Sequence, residues 1–211
     1  MPRVVSVNVG RVATRTSAKG REAETGIGKQ PVPGPVAIGP GGLEGDESAY
    51  RSREIGDTAV HIFCLESYDR FLELGAVDVP IPSFGENLTV EGYPETEARV
   101  GDVIRVGTAL LKVNQPVVRC SWPTVVSGEK RISKWATQEG RTGFYLDVVE
   151  PGVVRAGDAL EIVRRGPEGW TIARLNALSI DKARARAEMD AALALPELAD
   201  RWKDELRKAV V

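Results

Sequence analysis

The sequence contains very little histidine and cysteine, and this scarcity excludes several kinds of site. In 211 residues there is one histidine, His61, and there are two cysteines, Cys64 and Cys120. One histidine cannot build a His-rich metal centre, and a Ser-His-Asp triad would have to use His61, which lies in an apolar run typical of a structural position. Two cysteines in unrelated contexts form neither a disulfide framework nor a zinc pattern, so we expect a reducing, cytoplasmic setting.

Long hydrophobic runs and an excess of charge are also missing. No apolar stretch approaches the ~20 residues that span a bilayer, and the first residues lack the apolar core of a signal peptide. The formal net charge is -2, from 28 basic and 30 acidic residues. This balance gives no electrostatic basis for binding nucleic acid or an anionic membrane. We therefore expect a protein that acts on a small molecule, as a monomer or a homodimer.

The chain does contain a series of short apolar strands separated by turns rich in glycine and proline. Strands are predicted at 3–9, 30–38, 58–64, 88–90, 103–106, 109–113, 143–149 and 159–163. One clear amphipathic helix, over 66–74, interrupts them, and the polar stretch 14–28 is predicted to be an exposed loop. Neither a P-loop nor a Rossmann glycine pattern is present. The recurrence of strands predicts a mostly β fold, an antiparallel β-barrel.

The composition changes after Arg165. Helical periodicity predicts three short helices over 171–178, 181–194 and 197–210, with Pro196 near the first position of the third. We therefore predict two domains, a β-barrel over 1–165 and a C-terminal three-helix domain over 170–211. The second domain is small and buries little apolar surface by itself, so we expect it to dock on the barrel or to bind a partner.

The stretch 110–122 joins a strand to a thiol. Apolar residues alternate with polar ones up to Pro116, which ends the strand because it has no N–H to donate. Cys120 follows on a loop, directly after Arg119. A neighbouring cation lowers the pKa of a thiol, and the thiolate is both a nucleophile and a metal ligand. Two interpretations of Cys120 stay open: a reactive loop thiol, or a small buried hydrophobic residue, which free cysteines most often are.

Several motifs, taken together, resemble the MOSC family (the molybdenum cofactor sulfurase C-terminal domain). They are LEGD at 43–46, FGENLT at 84–89, VGD at 100–102, QPVVRC at 115–120, GRTGFY at 140–145 and GD at 157–158. The FGENLT run is the most specific of them. The tail, with LPEL at 195–198 and RW at 201–202, is similar to the three-helix domain of the YiiM-like branch. The resemblance covers nearly the whole chain.

The resemblance implies a β-barrel that binds the molybdenum cofactor (Mo-molybdopterin), with Cys120 as catalytic residue and as molybdenum or sulfur ligand. At the family level it also implies pyridoxal phosphate binding. In the YiiM-like branch it implies reduction of N-hydroxylated bases, with electrons from a flavin reductase partner. The cofactor-binding residues would be Asp46, Phe84, Gly85, Glu86, Asn87, Arg119 and Arg141.

Elementary chemistry agrees with these roles but leaves alternatives. A soft thiolate suits molybdenum or sulfur transfer, and backbone N–H groups at 85–87, with the Asn87 amide, could hold pterin or phosphate. Arg141 could pair with the cofactor phosphate. Alternatively, Asn87 bonds its own backbone in a turn, and Arg141 is a solvated surface cation.

Three departures from the family pattern support a second hypothesis. The usual His-Gly-Gly corresponds to 53–56, where Glu54 replaces the histidine. The usual arginine before the cysteine is Val117, for which Arg119 could substitute, and a customary arginine in the following strand is Asp147. Fewer cations predict weaker cofactor binding or its loss, since each charge-assisted contact contributes ~1.5–3 kcal/mol. The alternative is therefore a non-catalytic carrier of cofactor or sulfur, or a binding module, with part of the family's site lost.

Overall fold

The structure, a computed structural model, describes residues 1–17, 19–49, 55–118, 120–180 and 186–209. The strands are β1 Arg3–Val9, β2 Ala13–Thr16, β3 Glu22–Thr25, β4 Gln30–Pro31, β5 Val36–Gly39, β6 Gly42–Leu43, β7 Val60–Cys64, β8 Leu88–Glu91, β9 Val103–Val106, β10 Ala109–Pro116, β11 Phe144–Glu150, β12 Gly152–Val154 and β13 Leu160–Arg164. The helices are α1 Leu65–Glu73, α2 Trp122–Ser127, α3 Ile132–Gln138, α4 Ile172–Ile180, α5 Arg186–Leu193 and α6 Asp200–Ala209, with a short 3-10 helix at Ile55–Thr58.

Eight strands form one sheet in the order β13-β9-β10-β11-β7-β8-β1-β4. All neighbours are antiparallel except β7 and β8, which run parallel with Ile62 opposite Leu88. An isolated bridge joins Arg3 to Ala159, but the end strands β13 and β4 are not paired with each other in this order. The sheet-rich, mostly antiparallel fold is as predicted, whereas the predicted closed barrel is not confirmed, because the sheet does not close on itself.

The apolar side chains divide among three cores. The largest lies inside the sheet, where alternate residues of the strands are buried, among them Val60, Ile62, Leu88, Leu111 and Phe144. A second joins α4, α5 and α6 to Val100 of the preceding segment. A third packs α1 and α3 around aromatic rings from β7 and the 84–87 turn. The second core therefore attaches the C-terminal helices to the sheet.

Some local predictions were wrong. The stretch 14–28, predicted to be a loop, contains the β2–β3 ribbon, which pairs Ala13 with Thr25; its exposed alternation of small and charged residues gave no apolar signal for a strand. The third C-terminal helix begins at Asp200, well after Pro196. The start predicted for the second C-terminal helix, 181–185, lies outside the described residues. None of the described helices is long and apolar enough to span a bilayer.

Candidate functional site

A cleft of about 250 Å³ collects side chains from segments far apart in the sequence. Five of the predicted site residues line it: Asp46, Phe84, Gly85, Asn87 and Cys120. Other residues that line it are Thr25, Ile27, Lys29, His61, Val117, Val118, Trp122, Tyr145 and Arg201. Its volume is near the lower end for small-molecule sites. The thiol and the most specific motif of the sequence therefore share one cavity.

The 84–87 turn presents an aromatic ring and a glycine to this cleft. Phe84 stacks on Phe63 with ring centroids 3.9 Å apart, so its position is determined by the core of α1 and α3. Gly85 has φ +75, which favours glycine, and an added Cβ would lie 2.7 Å from Cδ1 of Ile27. The turn therefore has a rigid base and a backbone that other atoms can approach closely.

Glu86 points away from the cleft, into the protein. Its carboxylate is fully buried and accepts hydrogen bonds from the Tyr68 hydroxyl at 2.6 Å and the Phe84 N–H at 3.0 Å. Burial raises its pKa, and these hydrogen bonds oppose that rise. Glu86 is absent from the residues that line the cleft, and its contacts hold the turn against α1.

Asn87 belongs to a chain of polar groups that also includes Lys29. Its side-chain oxygen accepts the His61 N–H at 3.0 Å, and its NH₂ group donates to Oδ2 of Asp46 at 2.8 Å. Asp46 in turn pairs with the buried ammonium of Lys29. The Asn87 side chain therefore does not bond its own backbone. Its oxygen and its NH₂ group are both used in linking other segments of the chain to each other.

Cys120 is a free, exposed thiol at the cleft. Although the side chain is exposed, partial desolvation raises the pKa of the thiol, and the Trp122 N–H, which donates to Sγ at 3.4 Å, acts in the opposite direction. Arg119, which was expected to lower the pKa of this thiol, lies outside the described residues, and so does Glu54. The buried alternative for Cys120 is therefore wrong, and it is Cys64 that is buried.

Arg141 lies outside the cleft. Its guanidinium donates to Oγ of Ser67 at 3.4 Å and to the Glu66 carbonyl at 3.5 Å, near the start of α1. The same region holds Glu95, a buried carboxylate that accepts the Gly143 N–H at 3.0 Å. The structure therefore does not bring Arg141 together with Cys120.

His61 lines the cleft with a nearly buried side chain and remains uncharged. Burial lowers its pKa to about 3, outweighing a hydrogen bond to the Gly85 backbone that favours the charged ring. Its Nε2 atom has no hydrogen-bond partner among the described residues, and an added Cβ at Gly143 would lie 2.5 Å from it. The glycine of the GRTGFY motif therefore makes room for the imidazole.

Sequence reasoning missed two cations of the cleft, Lys29 and Arg201. Lys29 lies between the predicted loop 14–28 and the predicted strand 30–38, and its spacing from other residues gives no signal of a site. Arg201 lies in the RW pair of the tail, which the sequence marks only as a feature of the family.

Two family models and two relatives of known sequence indicate the same family for this chain. The family model for the MOSC domain matches residues 34–161, and the model for the YiiM-like 3-alpha helix domain matches residues 170–208. The uncharacterized protein YflK of Bacillus subtilis is 32% identical over 206 residues, covering 97% of this chain and 93% of YflK. Protein YiiM of Escherichia coli is 32% identical over 166 residues, covering 76% of this chain and 72% of YiiM.

A solved structure is similar along the full length. The crystal structure of YiiM from Geobacillus stearothermophilus superposes with a TM-score of 0.82 at 29% identity, and the match covers 100% of both chains. The sheet and the three C-terminal helices are therefore arranged alike in the two proteins.

Proposed function

Because this chain belongs to the MOSC domain family, in its YiiM-like branch, we propose that its cleft binds the molybdenum cofactor and reduces N-hydroxylated small molecules. The observation that supports this most directly is the exposed Cys120 thiol in the same cavity as the 84–87 turn. An external donor of the flavin reductase type supplies the electrons in this proposal. The MOSC family is associated with the cofactor, and the reductase activity and the cysteine ligand are our inference for this chain.

The donor set fits a metal that brings most of its own ligands. Within the described ranges there is no group of three His, Cys, Asp or Glu side chains that could hold a metal ion. Cys120 is a single soft donor, which suits molybdenum in a cofactor whose remaining ligands are its own sulfur and oxygen atoms. Because the pKa of the thiol is raised, coordination itself would deprotonate it. The site is thus suited to a metal-bound cofactor and unsuited to a bare ion.

The walls of the cleft suit a flat heterocycle. Phe84, Trp122 and Tyr145 contribute aromatic surface, on which a pterin ring can pack. Gly85 lines the cleft with its backbone, and Ile27 occupies the space that a Gly85 side chain would need. The Asn87 amide stays bonded to Asp46 and His61. In this proposal the turn therefore contributes backbone and ring surface, and the carboxylate of Glu86 only supports it.

The chemistry proposed is removal of the oxygen of an N-hydroxyl group. The N–O bond breaks, two electrons from the donor and two protons are consumed, and the amine and water are formed. When bound, the cofactor supplies the two-electron exchange. Cys120 would anchor it, the aromatic walls would exclude water from it, and neutral His61 would leave the floor uncharged.

Metal and pterin analysis of the purified protein tests this proposal. Expressed in a cofactor-replete host, the wild type should carry molybdenum and pterin near one per chain, and Cys120→Ser should lose the molybdenum. Arg207→Gln, an exposed change on α6, is the matched control and should retain both. Molybdenum and pterin at background in the wild type would contradict cofactor binding.

A carrier function is the second candidate, and it is supported by Val117. This residue lines the cleft where the family usually has an arginine, and the charge of Lys29 is already paired with Asp46. Bound cofactor without turnover of a hydroxylaminopurine, in the presence of a reductase, would favour the carrier. Intact mass after incubation with a persulfide donor, which transfers its outer sulfur to a thiol, decides a sulfur-carrier role. One added sulfur atom should then appear on the wild type and be absent from Cys120→Ser.

A further inference from the structure

We infer that α6 contributes to the wall of the cleft through Arg201, and that Arg201 selects a ligand that carries a phosphate-type anion. This inference deepens the proposed function and rests on it only in requiring that the cleft bind a ligand. It assigns to α6 a role that the sequence resemblance gave to Arg141.

The first argument is position. Arg201 is in the first turn of α6, which begins at Asp200, and it lines the same cleft as Cys120. It is half-buried and forms no ion pair with another described residue. A guanidinium at the rim of a partly closed cleft is suited to bidentate binding of an oxyanion.

The second argument is that the other cations nearby are already committed. Lys29 is paired with Asp46, and Arg141 lies on α1's side, against Ser67 and outside the cleft. Glu47 also lines the cleft and receives the Val12 N–H at 2.9 Å. Glu47 is in turn paired with Arg11 at 3.6 Å. Among the described lining residues, Arg201 is therefore the cation that has no carboxylate partner and is available to a phosphate-bearing ligand.

The third argument is that the helices are attached to the loop that carries the thiol. Val118, two residues before Cys120, packs against the core that α4, α5 and α6 form around Trp202. The Ala199 N–H, just before α6, donates to the Asn114 carbonyl of β10 at 3.1 Å. The start of α6 and the strand that leads to Cys120 are therefore positioned by the same contacts.

The test compares how fast Cys120 reacts with a charged and with a neutral disulfide. Ellman's reagent is dianionic and dithiodipyridine is neutral, and both form a mixed disulfide with the thiolate and release a thiol. Cys64 is buried and does not interfere. In Arg201→Gln, the rate with Ellman's reagent relative to dithiodipyridine should fall about fivefold or more, since one attractive charge is removed near the thiol.

Arg207→Gln is the matched control, because Arg207 is on the same helix, is exposed and pairs with Asp204. Its rate ratio should equal that of the wild type. Inorganic phosphate should slow the reaction of the wild type with Ellman's reagent and should not slow that of Arg201→Gln. Equal rate ratios in all three proteins would overturn the inference.

Pterin content separates the two sources of the anion. If Arg201 holds the phosphate of the cofactor, Arg201→Gln should carry less pterin than Arg207→Gln. If it holds an anionic group of the substrate, pterin content should be unchanged while protection by phosphate is lost. Should every variant lack pterin, the proposed function fails, and the rate ratios still decide the role of Arg201.

Discussion

The cleft has one wall whose polar groups bond to each other and a second wall whose polar groups face the ligand space. The turn wall consists of the 84–87 turn with Asp46 and Lys29, where Glu86 and Asn87 are both satisfied by protein partners. The loop wall consists of Val117, Val118, Cys120 and Trp122 with Arg201, and it carries the exposed thiol. The motif that is easiest to recognise in the sequence is therefore mostly scaffold, and the groups available to a ligand come from less distinctive segments.

This difference has a physical cause. A turn that must hold a fixed shape buries polar side chains, and each buried group needs a partner. The loop wall is free of that requirement because water can reach it. Four measurements can break or sharpen the comparison, and they are ordered by the size of the expected effect.

The two cysteines should differ most. Under native conditions Cys120 should be alkylated on the order of a hundredfold faster than Cys64, because Cys64 is fully buried and its Sγ donates to the Tyr93 carbonyl at 3.0 Å. Peptide mass spectrometry after timed iodoacetamide treatment measures this ratio. The Cys120 rate should keep rising above pH 9, since its pKa is raised. Comparable labelling of both thiols would mean that the sheet side opens as readily as the loop.

Acid should destabilise the protein through His61. Its pKa is about 3 when folded, against 6.5 for the free side chain, so the unfolded chain binds the extra proton between these values. The contribution is complete above pH 6.5 and is lost as the pH falls towards 3, about 4–5 kcal/mol in all. Denaturant unfolding at a series of pH values measures it.

His61→Gln is the variant for this measurement, and its acid limb should be flatter than that of the wild type. Glu86 and Glu95 act in the opposite direction, since burial raises their pKa values, and they remain in both proteins. An unchanged acid limb in His61→Gln would assign the acid sensitivity to other groups.

Removal of the Glu86 carboxylate should weaken the turn wall. Glu86→Ala leaves the Tyr68 hydroxyl and the Phe84 N–H without their acceptor, at a cost of about 2–4 kcal/mol in the free energy of unfolding. Glu150→Ala, at an exposed position of β11, should change it by less than about 0.5 kcal/mol. Chemical denaturation measures both. A loss of ligand binding without a loss of stability would instead place Glu86 among the ligand contacts.

The smallest effect is expected for Gly85→Ala, and Gly128→Ala is its control. Both glycines have φ near +75, but an added Cβ meets Cδ1 of Ile27 at 2.7 Å in the first and nothing within 4 Å in the second. In both variants the free energy of unfolding should fall by about 1–2 kcal/mol, because alanine is strained in this backbone conformation. In Gly85→Ala it should fall slightly more, because of the contact with Ile27. Thermal unfolding of the pair isolates the contact, and equal losses would show that Ile27 moves aside freely.

Local structure could be predicted where one segment decides it. The strand that ends at Pro116 was predictable, since β10 spans Ala109–Pro116 and a residue without an N–H ends its ladder. The helix predicted over 66–74 is α1, Leu65–Glu73. In both cases the periodicity within the segment contains the information.

The site could be predicted only in part, because it depends on contacts between distant segments. The direction of Glu86 depends on Tyr68 of α1, and that of Asn87 on Asp46, 41 residues away. Lys29 and Arg201 come from opposite ends of the chain. Spacing along the sequence does not show which distant residues become partners. The FGENLT motif therefore indicated where the turn is, but not which of its side chains face a ligand.

The packing of Val118 against the C-terminal helices has a consequence for engineering. These helices are not an interchangeable module. A chimera that takes them from a relative would change the contacts of Val118 and so displace the segment bearing Cys120. Swapping experiments should therefore transplant 114–122 and the helices as one unit, and relatives that differ in one should be compared for matched changes in the other.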